Sequence, residues 1–201
     1  MITDYSKAKK DFLSAKFQGC KHFFQTHNYK LEQAYCEMIL DNLQEAYELF
    51  KSLENIDLRA NWGMVMLEFI KGCVSHYPTY FELRNFLEID LNILITYCKG
   101  DYVEKIVRYA DFMFTINPEV YKFIGRVFLN NDLKPQALFF LNRARDNFYQ
   151  DPELHYIFAQ VFKEENNIAQ CRKALLTCLE ILPGYAPAEI LLKEISGCSA
   201  G

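Results

Sequence analysis

Apolar side chains recur every three or four residues along most of the chain, which is the spacing of one buried face on an α-helix. Within 4–24, for example, Tyr5, Ala8, Phe12 and Ala15 follow roughly this spacing. The breaks between such segments are short, and short links favour antiparallel neighbouring helices. The pattern predicts helices at 4–24, 30–41, 43–54, 57–75, 79–98, 101–116, 118–130, 134–149, 152–164, 167–181 and 186–196.

Two of the predicted helices begin with the same signal. Asn117-Pro118-Glu119 and Asp151-Pro152-Glu153 each place a capping side chain before a proline and an acidic residue. The cap oxygen accepts a backbone N–H that would otherwise lack a partner, proline has no such donor, and the carboxylate meets the positive end of the helix dipole. Because the two signals lie 34 residues apart, they predict a repeated structural unit.

Superposing 118–151 on 152–185 aligns residues of matching size. Gly125 falls on Ala159 and Ala137 falls on Cys171, so small side chains recur where two helices could cross closely. The bulky positions between them would fill the space between successive helix pairs. The other aligned pairs are Phe128 with Phe162, Leu141 with Leu175, and Ala144 with Cys178.

This order of small and bulky residues resembles the signature of the tetratricopeptide repeat family. Tyr121 stands where that family often has tryptophan, and Pro183 stands where it often has a closing proline. The resemblance implies an all-α fold: a right-handed α-solenoid of antiparallel helix pairs, with less regular N-terminal helices. The implied parts of this single domain, 1–201, are an irregular helical part at 1–82, a degenerate helix pair at 83–117, repeats at 118–151 and 152–185, and a C-terminal capping helix at 186–196.

Upstream of the two repeats the resemblance is weaker. Ala34 and Ala46 keep the spacing of the small residues, but Glu37 stands where the family has an aromatic side chain. Leu94 and Ile106 also keep the spacing, although both are large where small residues are expected. We therefore expect the N-terminal helices to follow the repeat only loosely.

Composition and charge exclude several classes of protein. With 8 glycines and 6 prolines in 201 residues, the chain has fewer turn residues than a β-sandwich or β-barrel needs. A net charge of -4 without a basic stripe argues against a nucleic-acid partner. The most apolar stretches, 62–74 and 86–98, contain charged residues, so we predict no transmembrane segment. The first residues also lack the apolar core of a secretory signal.

The cysteine pattern indicates the redox state of the compartment in which the protein is found. Their number is odd, no C-x-x-C motif occurs, and most lie in apolar stretches, where free cysteine behaves as a small hydrophobic residue. This pattern favours free thiols, a reducing compartment and hence a cytoplasmic location. The seven residues are Cys20, Cys36, Cys73, Cys98, Cys171, Cys178 and Cys198.

Catalytic and cofactor-binding motifs are not recognisable in the sequence. The four histidines, His22, His27, His76 and His155, belong to no zinc-binding motif, and no glycine-rich phosphate loop occurs. Cys20 lies near two of the histidines, but a fourth ligand is not apparent. We therefore expect no enzymatic activity, no metal and no cofactor.

In the tetratricopeptide repeat family, one face of each first helix lines a concave groove. The matching positions of this chain also share one face by helical spacing alone. The resemblance therefore implies a partner-binding groove lined by Lys122, Arg126, Leu129, Tyr156, Gln160 and Lys163. An ordinary hydrated helix face is the alternative interpretation. Family members that clamp an acidic chaperone tail have asparagine where this chain has Arg126 and Ile157, so we do not expect that function.

The sequence thus predicts a protein–protein interaction module: an adaptor, assembly factor or complex subunit that holds a peptide or helix of another protein in the groove. Two alternatives stay open. A chaperone that shields apolar segments of a secreted or assembling partner would use the aromatic content of 15%. A purely structural subunit would instead have its outer aromatic face covered by a larger complex.

Overall fold

The computed structural model describes the backbone of residues 2–197 and the side chains from Asp4 onward, so Cys198 lies outside the described residues. Within this range every regular element is an α-helix, which confirms the all-α prediction. The helices are α1 (Ile2–Leu13), α2 (Phe17–Thr26), α3 (Lys30–Ile39), α4 (Leu43–Lys51), α5 (Leu58–Lys71), α6 (Tyr80–Thr96), α7 (Gly100–Val107), α8 (Ala110–Ile116), α9 (Val120–Asn130), α10 (Lys134–Asn147), α11 (Pro152–Glu164), α12 (Ile168–Ile181) and α13 (Ala186–Gly197).

Two segments that the sequence predicted as single helices are each divided. The segment 4–24 is interrupted at Ala15, whose φ of 58° is left-handed. The segment 101–116 is divided at Arg108 and Tyr109, between α7 and α8. Apolar spacing continues across both breaks, and therefore the periodicity did not mark them.

The two predicted cap signals behave almost alike. The Asp151 carboxylate accepts the N–H groups of Glu153 and Leu154, and α11 begins at the following proline as predicted. The Asn117 side chain accepts the N–H of Glu119 over 3.0 Å, but α9 begins two residues later than predicted, at Val120.

The same three-residue turn joins helices at six places. The middle residue has a left-handed φ between 56° and 67°, and the next residue donates its N–H to the carbonyl five residues earlier. At Asp132, for example, Leu133 donates to the Phe128 carbonyl over 2.9 Å. This bond satisfies a carbonyl that the helix end leaves free. The middle residues are Ala15, Asn28, Asp41, Cys98, Asp132 and Asn166.

The 34-residue spacing of three of these turns extends further towards the N-terminus than the matching of side-chain sizes does. Cys98, Asp132 and Asn166 are spaced 34 residues apart, and each lies between two helices. The predicted degenerate helix pair at 83–117 therefore has its turn in register with the turns of the two repeats. Its helical bounds differ, because α6 already begins at Tyr80 and two helices, α7 and α8, follow the turn.

The described chain divides into two compact units, Met1–Val120 and Tyr121–Gly201, which we call the N-terminal unit and the C-terminal unit. In the N-terminal unit α5 is the central helix: nearly all its residues from Trp62 to Ile70 are buried, and it packs against α4, α6 and α7. A helix apolar on all sides is expected only where neighbours cover it on every side.

In the C-terminal unit, small residues allow helices to approach closely. A Cβ added to Gly125 would lie 2.7 Å from Cγ of Leu141 and 3.2 Å from its backbone nitrogen, so Gly125 faces α10 as the spacing predicted. Ala137, Ala159 and Cys171 are completely buried. Farther along, α11 packs against α12 and α12 against α13.

Candidate partner-binding groove

A surface depression of the C-terminal unit lies between α11 and α13 and has a volume of about 780 Å³. Leu191 forms a buried floor, whereas Ile190 is 58% exposed although it is aliphatic. The complete lining is Tyr156, Gln160, Lys163, Glu164, Asn166, Pro187, Ile190, Leu191 and Glu194.

Helical spacing explains why these residues meet. Tyr156, Gln160 and Lys163 lie four and then three positions apart, which places them on one face of α11. On α13 the lining residues from Pro187 to Glu194 recur at the same intervals. The Asp151 cap determines where α11 begins.

Two side-chain contacts connect α11 to α13 and to the segment before it. The Lys163 ammonium binds the Glu194 carboxylate over 2.7 Å, joining α11 to α13. The ring of Tyr156 meets the ring of Tyr185 edge-on, with centroids 5.7 Å apart. Burial raises the pKa of Tyr185, and the nearby Glu153 carboxylate raises it further. Tyr185 therefore stays neutral at physiological pH, and both tyrosines present rings with a hydroxyl at the edge.

Three of the six predicted groove residues lie on α9 and do not line this depression. Lys122 is buried, with its ammonium 2.7 Å from the Asp151 carboxylate and 3.0 Å from that of Glu153. Arg126 also binds the Glu153 carboxylate, and Leu129 is half-buried. An acidic group from a partner would have to compete with these carboxylates for the two cations.

The other three predicted residues, Tyr156, Gln160 and Lys163, line the groove together. Sequence reasoning assigned α13 only the role of a cap and did not include its side chains. Pro187, Ile190 and Leu191 were nevertheless detectable, because they form a stripe at helical spacing near the end of the chain.

A second group missed by the sequence reasoning is a buried polar cluster in the N-terminal unit. The Asp90 carboxylate is completely buried and accepts hydrogen bonds from the Tyr35 hydroxyl over 3.0 Å and the Trp62 indole over 2.8 Å. It also binds the Arg59 guanidinium. Burial raises the pKa of Asp90 to about 6, against the opposing effects of Arg59 and the two hydrogen bonds. These residues come from α3, α5 and α6, so no local pattern brings them together.

The same unit contains a buried carboxylate that organises a loop. Glu68 accepts the backbone N–H groups of Ser75 and His76 over 2.7 and 2.9 Å, together with contacts from both side chains. Burial by itself would raise the pKa of Glu68, but the hydrogen bonds from Ser75 and His76 outweigh it and lower the pKa to about 2. The hydrogen bonds of Glu68 connect α5 to the loop that follows it, and therefore they stabilise the conformation of this loop.

Comparison with known proteins adds no relative: no family model matches the chain, and no curated protein matches it. Within residues 2–197 no cluster of histidine, cysteine and carboxylate side chains is arranged to hold a metal ion. No helix in the described part of the chain is long and apolar enough to cross a membrane.

Proposed function

We propose that this chain is a protein–protein interaction module, an adaptor, assembly factor or complex subunit, that binds a helix or extended segment of another protein between α11 and α13. The observation that carries the proposal is the groove of about 780 Å³ in which apolar side chains lie next to polar ones. Tyr156, Ile190 and Leu191 supply apolar contact, and the Gln160 and Asn166 amides can exchange hydrogen bonds with a partner backbone.

The proposal includes the architecture that creates the groove. We propose that α9 to α13 form antiparallel helix pairs of a right-handed solenoid similar to tetratricopeptide repeats. Three features support this: the turns spaced at 34 residues, the close approach of Gly125 to Leu141, and the packing of α11 against α12 and α12 against α13. In such a solenoid α11 and α13 are equivalent first helices, and they line the concave side.

A pair of photo-crosslinking variants tests the site. p-Benzoylphenylalanine replaces Gln160 in the groove or, as a control, Lys173, which is exposed on α12. After irradiation in the native source, we expect position 160 to capture a defined segment of one protein that position 173 does not capture. Identical products at both positions, or none at position 160, would refute binding in the groove.

A pair of charge substitutions tests the apolar contact. Ile190→Asp introduces a carboxylate at the groove, and Leu176→Asp introduces the same charge at a comparably exposed aliphatic residue of α12. We expect Ile190→Asp to weaken binding of the captured segment roughly tenfold or more, and Leu176→Asp to leave it unchanged. The reverse result would favour the structural-subunit alternative, in which the outer surface containing Leu176 and Phe139 is covered instead.

We also propose that the protein works in a reducing compartment such as the cytoplasm. The support is that the six cysteines within residues 2–197 are all free, including Cys20 and Cys36, whose sulfur atoms lie 3.6 Å apart. Thiol titration of the unfolded, unreduced protein should detect all seven thiols. Two or more missing thiols would place the protein in an oxidising compartment.

A further inference from the structure

The N-terminal unit contains a second concavity, unrelated to the groove in the C-terminal unit. It has a volume of about 240 Å³ and opens among α1, α2, α3, α5 and α6. Its walls are mainly apolar, and three charged side chains lie along it. The lining residues are Tyr5, Lys9, Phe12, Leu13, Phe24, Leu31, Glu32, Tyr35, Arg59 and Ile93.

The size and walls of this pocket restrict what it can hold. A dry apolar cavity of about 150 Å³ binds a benzene molecule, so 240 Å³ holds one ring with a short substituent. The pocket is too small to receive a helix. Phe12, Leu31 and Ile93 are only partly buried, and their apolar surface would be covered by such a ligand.

The charged groups along the pocket differ in whether they already have partners. Glu32 accepts the Tyr5 hydroxyl over 2.8 Å, and this hydrogen bond raises the pKa of Tyr5 to about 12. Arg59 is bound to Asp90. Lys9, by contrast, is exposed and forms no ion pair with any other residue of the described chain. Among the charged lining residues, Lys9 is thus the cation without a recorded ion pair, whereas the Glu32 carboxylate keeps its charge and already accepts the Tyr5 hydroxyl.

We propose that this pocket binds a small amphiphilic carboxylate, with a single ring or short alkyl chain among Phe12, Leu31 and Ile93 and with the carboxylate at Lys9. Arg59 supplies further N–H donors beside it, and its guanidinium is held 5.0 Å from the Tyr35 ring centre. An ammonium at Lys9 would be repelled, and only a shift towards Glu32 would bring it close to an opposite charge.

The single tryptophan of the chain is a built-in reporter for this site. The Trp62 indole donates to Asp90, Asp90 binds Arg59, and Arg59 lies on the pocket wall. A ligand that moves the Arg59 guanidinium therefore changes the polar surroundings of the indole. Trp62 belongs to the N-terminal unit, whereas the groove between α11 and α13 belongs to the C-terminal unit.

Fluorescence titration with three isosteric probes tests the proposed ligand class. Phenylacetate should change Trp62 emission saturably at millimolar or lower concentrations, and phenylacetamide and phenethylamine should each bind about fivefold more weakly or worse. Tighter binding of phenethylamine than of phenylacetate would assign the ligand's charged end to Glu32 and overturn the proposal. Equal binding of the acid and the amide would reject the carboxylate class. The absence of a saturable change with any probe would reject a small-molecule site, and the pocket would then be free to take a partner's side chain.

Matched variants establish where the probe binds. Lys9→Gln should weaken phenylacetate binding about fivefold or more, while Lys10→Gln, a change of the neighbouring exposed lysine that does not line the pocket, should have no effect. Ile93→Phe fills the pocket and should abolish binding, provided circular dichroism shows that it folds. Equal effects of the two lysine changes would overturn the assignment, even if Ile93→Phe failed to fold.

Discussion

The two units of this protein share one means of packing helices and differ in a second. Both place small residues where helices approach closely, as at Gly125 in the C-terminal unit and at Gly63, which faces Phe50, in the N-terminal unit. The N-terminal unit also buries carboxylates: Asp90 receives donors from three side chains on two helices, and Glu68 fastens a loop. A buried carboxylate requires all its donors at once, whereas a small residue requires only that space be left empty. A small residue at a helix crossing can therefore recur at a regular interval along the chain, whereas a buried carboxylate with its donors is specific to one place.

The largest effect is expected from removing the Asp90 carboxylate. Asp90→Ala should lower the free energy of unfolding by about 3 kcal/mol or more, because Arg59, Tyr35 and Trp62 lose their common acceptor. Urea unfolding followed by far-ultraviolet circular dichroism measures this loss. Asp90→Asn, which keeps one carbonyl acceptor, should lose less. If Asp90→Ala were neutral, the buried cluster would not be what stabilises this unit.

Substitution of Gly125 by alanine should lower the stability by an intermediate amount, and the same substitution at a glycine without close neighbours should not lower it. Gly125→Ala should cost about 1–3 kcal/mol, because the new methyl group meets Leu141 and its backbone, and Gly125→Leu should cost more. Gly19 on α2 has no heavy atom within 4 Å of an added Cβ. Gly19→Ala should therefore stabilise the protein by about 0.5–1 kcal/mol through its better helix propensity. Thermal melting of the variants provides the comparison, and equal shifts for the two alanine variants would exclude a tight crossing.

The two buried carboxylates should respond to pH in opposite directions. The pKa of Glu68 lies at about 2 in the folded protein, below its usual 4.5, so its stabilisation is present above about pH 4.5 and is lost as the pH falls towards 2. The pKa of Asp90 lies at about 6, above its usual 3.8, so its protonated form stabilises the fold below about pH 4, and this contribution is lost as the pH rises through 6.

Single amide variants separate these two contributions. Compared with the unchanged protein, Glu68→Gln should flatten the loss of stability below about pH 4.5, and Asp90→Asn should flatten the decline between about pH 4 and 6. Unfolding free energies measured from about pH 3 to 7 supply both slopes. A decline between pH 4 and 6 that persists in Asp90→Asn would assign it to another group.

The smallest change in stability is expected on the half-exposed face of α9. Arg126→Ala should cost about 1 kcal/mol or less, because its ion pair with Glu153 is open to solvent on both sides. Lys122→Ala should cost more, since the Lys122 ammonium is buried between Asp151 and Glu153. Thermal melting distinguishes the two. If Arg126→Ala unfolded the protein while Lys122→Ala did not, the assignment of the inner and outer positions on α9 would be reversed.

Much of this protein's local structure follows from the sequence by itself. Apolar periodicity predicted nearly every helix, the Asp151 cap set the start of α11, and matching residue sizes identified Gly125 as a crossing point. These features are readable because helix spacing, capping and the need for a small residue each depend on neighbours within a few turns of the chain. The breaks at Ala15 and Tyr109 were not readable, because apolar spacing continues across them.

Only the tertiary structure decided which surfaces and polar groups come together. Asp90 meets Tyr35 across 55 residues of chain, and the groove joins Tyr156 to Ile190 from separate helices. The tertiary structure also buries Lys122, which was predicted to face a partner, against Asp151. Periodicity identifies which face of a helix is apolar or polar, but the partner that this face meets depends on packing across the whole unit. A short-range pattern carries no information about that packing.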